Sequence, residues 1–169
     1  GAGCDAITGE FAGYADGAVL TNFLGLGLNA VVDYQGGDGN DMTITMLPAI
    51  PEIQFSAPQY FEDESQTAVI TITRSGDLTN SSTVMFNTAP SGPGVVGGAT
   101  CGGAVDYVVQ GTALPRTITF NTNVATQTVL IDICGETTAE SPEVLNLALS
   151  GASNATLGSQ TPAELEPPS

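Results

Sequence analysis

Three glutamates, Glu136, Glu140 and Glu143, stand within one short stretch, IDICGETTAESPEVLNLAL, between two alternating apolar runs. Carboxylates at this spacing can do two kinds of chemistry. They can share acid–base work on a substrate, or they can hold a hard cation. Two carboxylates about 5 Å apart repel by roughly 3 kcal/mol at an effective dielectric near 20. The chain has only two basic residues, Arg74 and Arg116, so a metal ion is the natural neutraliser of such a cluster. Acid–base catalysis needs surroundings that push the two pKa values apart, and a solvated acidic loop gives none. An enzyme is therefore not expected. The plain alternative, a solvated surface that keeps the protein soluble, is expected to cover at least half of the eighteen acids.

The flanking elements are strands. Val129, Ile131 and Ile133 alternate with polar residues before the acids, and Leu145, Leu147 and Leu149 alternate after them. Composition agrees. Hydrophobic residues make up 41% of the 169, enough for a core, and 21 are Gly. Abundant Thr, Val and Ile favour an all-β chain with many turns. A formal charge of −16 argues against nucleic acid, whose phosphates need Lys and Arg. It argues equally against anionic membranes. No run of about 18 apolar residues is present to span a bilayer. The absence of His excludes His-based triads and His-ligated zinc. Three cysteines, Cys4, Cys101 and Cys134, imply one disulfide and one spare thiol. The scarcity of trypsin sites suits life outside the cell. A start at Gly1 fits a processed mature protein or an excised fragment.

In chain order, residues 1–47 read as a small hairpin unit with short apolar runs between Gly, Asn and Asp turns. Met42, Ile44 and Met46 alternate with Thr43 and Thr45, as in a strand with one buried face. The hexapeptide GGDGND at 36–41 fits the start of a calcium-binding β-roll nonapeptide. It occurs once, and Thr43 stands where that repeat wants a large apolar residue. A tight turn with Gly36, Gly37 and Gly39 at positive φ is the preferred reading. Residues 48–58, with three prolines, read as a linker or an edge strand. From 59 to 169 follow the alternations Ala68/Ile70/Ile72 and Val84/Phe86, a short strand opened by Asp106 and Tyr107, the pair Ile118/Phe120, then the two strands around the acids. Arg74–Asp77 reads as a turn, and 89–104 as a Gly- and Pro-rich loop. Six or seven strands at this spacing form a β-sandwich.

Two resemblances sharpen this. The stretch from GEFAGYADGAVL to VVDYQGGDGNDMTITM is similar to the segment that closes repeats in large bacterial surface adhesins, which implies a secreted bacterial context. Residues from Phe55 to about Glu166 resemble a Calx-beta domain, the immunoglobulin-like calcium module of sodium–calcium exchangers, integrin β4 and many bacterial surface proteins. The resemblance rests on Tyr60 with Glu64, on Thr73–Gly76, on Asp106–Tyr107, on the spacing Glu136/Glu140/Glu143, and on Gly151–Ala152 with Leu157–Gly158. It implies a Ca2+ site at one end of the sandwich, with Glu64, Asp106, Glu136, Glu140 and Glu143 as ligands. Calcium takes six to eight oxygens and accepts such a set. Gly135–Glu136 replaces the family's frequent paired aspartates, and Glu164 and Glu166 stand where its closing aspartates fall. In that fold Cys101 and Cys134 approach the calcium end, and a bond between them would pin the 89–104 loop. Cys4 would then be free or paired between subunits.

The ending, QTPAELEPPS, leaves two alternatives of equal weight. Either 159–166 supplies a short last strand, or that strand is missing and comes from another subunit, giving a head-to-tail fibre. Asn80 and Asn154 begin sequons, and the Thr- and Ser-rich strands could carry O-linked sugar. The reading is an extracellular, calcium-binding structural or adhesive module at the cell surface, partnered by copies of itself or by other surface proteins. The alternative is a carbohydrate-binding or adhesion domain without working calcium sites. It is disfavoured by an aromatic content of 6% without Trp.

Overall fold

The computed structural model describes residues 9–25, 28–37, 39, 41–90, 95–111, 113–135 and 144–166. The chain forms two compact units, Gly1–Ala49 and Ile50–Ser169.

The first unit is a three-stranded antiparallel sheet of β1 (Val19–Phe23), β2 (Leu28–Gly36) and β3 (Asp41–Met46), in that spatial order. Ala30, Val32 and Tyr34 of β2 are buried. Tyr34 ties down the preceding segment, because its hydroxyl donates to the Tyr14 carbonyl and accepts from the Phe11 amide, both at 2.9 Å. The hexapeptide at 36–41 is the β2–β3 turn. Gly37 and Gly39 have positive φ, and the Gly39 amide donates to the Gly36 carbonyl at 2.9 Å. Gly36 differs from expectation. It lies in β2 at negative φ, and its lack of a Cβ makes room for the Thr43 side chain. Asp38 and Asn40 lie outside the described residues. Met42, Ile44 and Met46 also depart from expectation. They form a strand, but each is exposed, since β3 is a sheet edge and the segment after Phe11 covers β2.

The second unit is an all-β immunoglobulin-like sandwich. One sheet holds β4 (Glu52–Phe55), β6 (Thr67–Ser75), β8 (Tyr107–Val109), β10 (Thr126–Ile133) and β12 (Thr156–Leu157), ordered β12-β4-β6-β10-β8. The other holds β5 (Gln59–Phe61), β7 (Ser82–Pro90), β9 (Arg116–Phe120), β11 (Leu145–Ser153) and β13 (Pro162–Glu166), ordered β5-β13-β11-β7-β9. The expected six or seven strands include the short one opened at Asp106 and Tyr107, which is β8. β5 and β12, of three and two residues, are too short to show an alternation.

Alternation fills the core from both sheets. Ile53, Phe55, Ala68, Ile70, Ile72, Val129, Ile131 and Ile133 meet Val84, Phe86, Ile118, Phe120, Leu145, Leu147, Leu149 and Leu165. Phe55 and Phe86 pack edge to face at 6.3 Å. Within the proline-rich stretch, β4 is a sandwich strand with Ile53 and Phe55 buried. Gly76 turns the chain at the end of β6, where φ is +86° and an added Cβ would press on the Ile50 carbonyl.

The last strand is the chain's own. β13 pairs antiparallel with β11 (Leu145↔Leu165, Leu147↔Ala163) and parallel with β5 (Leu165↔Tyr60), and it buries Ala163 and Leu165. The premise of a missing strand therefore fails. Pro162 opens β13, a place where proline is tolerated, and the two residues facing inward suffice to dock it.

Candidate metal centre

The acid-bearing segments converge because of strand register. β6 starts where β10 ends, with Thr67 opposite Asp132, so the turn at 62–66 lies beside Cys134 and Gly135. Two backbone bonds fix this: Ser65 N donates to Ile133 O at 3.0 Å, and Ile133 N donates to Gln66 O at 2.9 Å. A side chain at Gly135 would run into the Ser65 hydroxyl. Glu64 sits in this turn and is exposed.

Asp106 reaches the same end from another direction. It precedes β8, and Tyr107 pairs with Ile133 of β10. Cys134 N donates to Asp106 O at 2.8 Å. Asp106 is only 8% exposed, and its carboxylate is engaged by the loop before it: Val96 N donates to Oδ2, while Asp106 N donates to Val96 O at 2.9 Å. The Cys101–Cys134 disulfide, with Cα atoms 5.3 Å apart, closes the same knot. The part of the 89–104 loop around Cys101 is thus anchored at Cys134, just past the end of β10.

Glu136, Glu140 and Glu143 lie outside the described residues. The entry and exit of their segment are fixed, though. It leaves β10 at Gly135, beside Ser65 and Asp106, and rejoins at Leu145 of β11, opposite Leu165. Glu62 stands at the same end, where its amide donates to the Glu166 carbonyl at 3.4 Å. The structure therefore brings Glu64, Asp106 and both ends of the 136–143 segment together. Among the described residues alone, no group of three or more acids or cysteines could hold a metal ion.

The two stand-in acids face elsewhere. Leu165 points into the core, so Glu164 and Glu166 point to the outer face of the sheet, where Gln59 Nε2 donates to Glu164 Oε2 at 3.4 Å and Glu166 Oε1 at 3.2 Å. Sequence reading missed Asp132. It lies on the outer face of β10, accepting from Thr67 Oγ1 at 2.6 Å and Gln110 Nε2 at 2.7 Å. Its place between inward-facing Ile131 and Ile133 was the available signal.

Neither arginine reaches the acidic end. Arg74 is only 2% exposed at the far end of β6, held by loop carbonyls. Arg116 donates through Nη1 to Gln110 O at 2.5 Å, and burial lowers its pKa below the usual guanidinium value. The donors at the acidic end are therefore all oxygen, with no cation of the chain beside them among the described residues. That set fits a hard divalent ion.

No protein-family model matches this chain, and no curated protein matches it in sequence. Solved structures do. The apo-form Calx CBD1 domain superposes with a TM-score of 0.54 at 18% identity, covering 69% of this chain and 95% of that one. The sandwich has the fold of the Calx CBD domains. The calcium binding domain CBD12 of CALX1.1 matches with a TM-score of 0.55 at 18% identity, and CBD12 from CALX1.2 with 0.56 at 17%. Each covers 69% of this chain, and this chain spans 44% and 43% of them, less than half their length. At such identities the likeness is one of fold.

Proposed function

We propose that the sandwich is a calcium-binding structural module of an extracellular surface protein, with Glu64, Asp106, Glu136, Glu140 and Glu143 as its ligands. One observation carries this reading. Backbone bonds and a disulfide gather the Glu64 turn, Asp106 and both ends of the 136–143 segment at one end of the sandwich, away from both arginines. Bound calcium would relieve the mutual repulsion of these carboxylates and cross-link their segments, stiffening that end. The Calx fold supports the reading, since one structure of that fold is the calcium binding domain CBD12 of CALX1.1. The disulfide supports an oxidising compartment, and no helix among the described residues is long and apolar enough to cross a membrane. The partners on this reading are other surface proteins or further copies of the chain, engaged by surfaces other than a donated last strand.

Calorimetric titration of the chelator-treated chain with Ca2+ tests it. Saturable binding is expected, abolished or strongly weakened by the combined change Glu136→Gln, Glu140→Gln and Glu143→Gln. At about a hundred times Kd, calcium adds roughly 2.7 kcal/mol, which raises the sandwich melting temperature by about 10 °C. Absence of heat and of a melting shift at millimolar calcium would make the acids a solvated face and leave the resemblance as one of fold.

A further inference from the structure

The first unit carries an apolar groove that the sandwich chemistry does not use. It has a volume of about 700 Å³ and is lined by Phe11, Tyr14, Val19, Leu24, Met42 and Ile44, among others. Phe11 is 65% and Leu24 76% exposed, and Met46 extends the apolar row along β3. Soluble proteins seldom leave such a cluster open unless something docks there. The groove borders a sheet edge. Among the described residues nothing pairs with the outer side of β3, and residues 42–46 carry no charge, no proline and no lysine to discourage pairing.

Charge selects the occupant. Residues 1–49 contain six acids and no base. Asp41 heads β3 and Asp33 pairs with Thr43, so both stand on the Thr43/Thr45 face of that strand, opposite Met42 and Ile44. The chain offers these acids no basic side chain of its own in the first unit, because both arginines lie in the sandwich unit and are spent there on carbonyl oxygens. A second copy would bring −16 against −16. We propose that the β3 edge of this groove receives an extended polypeptide segment in which Lys or Arg alternate with apolar residues, added as a fourth strand along β3. Its apolar side chains would lie beside Met42, Ile44 and Met46 on the groove face, and its cations, on the opposite face, would meet Asp33 and Asp41 beside Thr43 and Thr45.

The probe is a short labelled peptide alternating Lys and Val, titrated into the full chain and followed by fluorescence anisotropy. A peptide with Glu in place of Lys and one with Ser in place of Val are the controls. Binding of the Lys–Val peptide alone, weakening as salt rises, is expected. Ile44→Lys should reduce affinity at least about tenfold, by removing apolar contact and adding like charge. Val69→Lys, an equal change of charge at an exposed position of the sandwich, should leave affinity unchanged. An unaltered amide NMR spectrum for Tyr34 and Val32 shows that the first unit of the Ile44 variant is folded; should it be altered, Ile44→Thr, which keeps a β-branched side chain, takes its place with the same expectation. Equal loss in both Lys variants would reduce the effect to net charge and overturn the proposal. So would equal binding of all three peptides, binding of none, or a dimer of the chain that Ile44→Lys dissolves.

Discussion

Replacing Arg74 tests how the sandwich holds the end opposite the acids. Its guanidinium donates from Nε to Val124 O (3.1 Å), from Nη1 to Asn80 O (2.7 Å) and Ser82 Oγ (3.0 Å), and from Nη2 to Asn121 O (2.9 Å) and Leu78 O (3.5 Å). It also sits 5.6 Å from the centre of the Phe120 ring. One buried side chain thus fastens the β6–β7 turn and the β9–β10 turn together. Charge-assisted bonds contribute about 1.5–3 kcal/mol each, and burying the cation costs several kcal/mol, so the set yields a net of about 3–5 kcal/mol. Arg74→Met keeps the packing on Phe120 and leaves the carbonyls without donors, and that net should be lost. Arg74→Lys keeps the charge but lacks the planar fork, and should still cost about 2–3 kcal/mol. Urea unfolding, read from the amide signals of Ile70 and Ile131 so that only the sandwich is followed, gives both values. A Lys variant within about 0.5 kcal/mol of the parent would refute the reasoning, because charge alone would then explain the site.

Three further outcomes are expected. Changing Cys101 and Cys134 together to Ala opens a loop of 33 residues and should lower stability by about 3–4 kcal/mol, measured by the same urea unfolding. Leu165→Ala should cost about 2–5 kcal/mol without changing the mass in light scattering, since β13 packs within its own chain. The Asp77 carboxyl is held below its ordinary value, first by the Thr79 amide (2.9 Å to Oδ1) and then by the Thr79 hydroxyl. Its stabilising contribution is complete above the ordinary carboxylate value and disappears as pH falls through the depressed one. An NMR pH titration should place its midpoint below 3.8, and in Asp77→Asn that acid-limb contribution should vanish.

The core was legible because inward residues repeat with period two. Ala68, Ile70 and Ile72, then Val129, Ile131 and Ile133, then Leu145, Leu147 and Leu149, all face inward as their alternation demands. The same rule places Arg74 inward after Ile72, yet a charged residue before Ser-Gly-Asp reads as a turn, so the central knot of that end was missed. Proline obscured β13, where Ala163 and Leu165 were the usable signal. β5 and β12 had no sequence signature, because two or three residues cannot display a period. At the acidic end, the turn around Glu64 and the position of Asp106 follow from pairings distant in sequence, which alternation within a strand does not encode.

The sandwich also has a direction in which it resists being pulled. Its opening strands lie beside its closing ones and run parallel to them, Leu165 and Glu166 beside Tyr60 and Phe61, and Thr156 and Leu157 beside Glu52 and Ile53. Tension applied at Ile50 and Glu166 therefore slides these strands past one another, so the ladder bonds must yield together rather than one after another. A domain wired this way, set in series along a surface protein, carries load at its own termini, and the strand that sequence made doubtful is half of the grip.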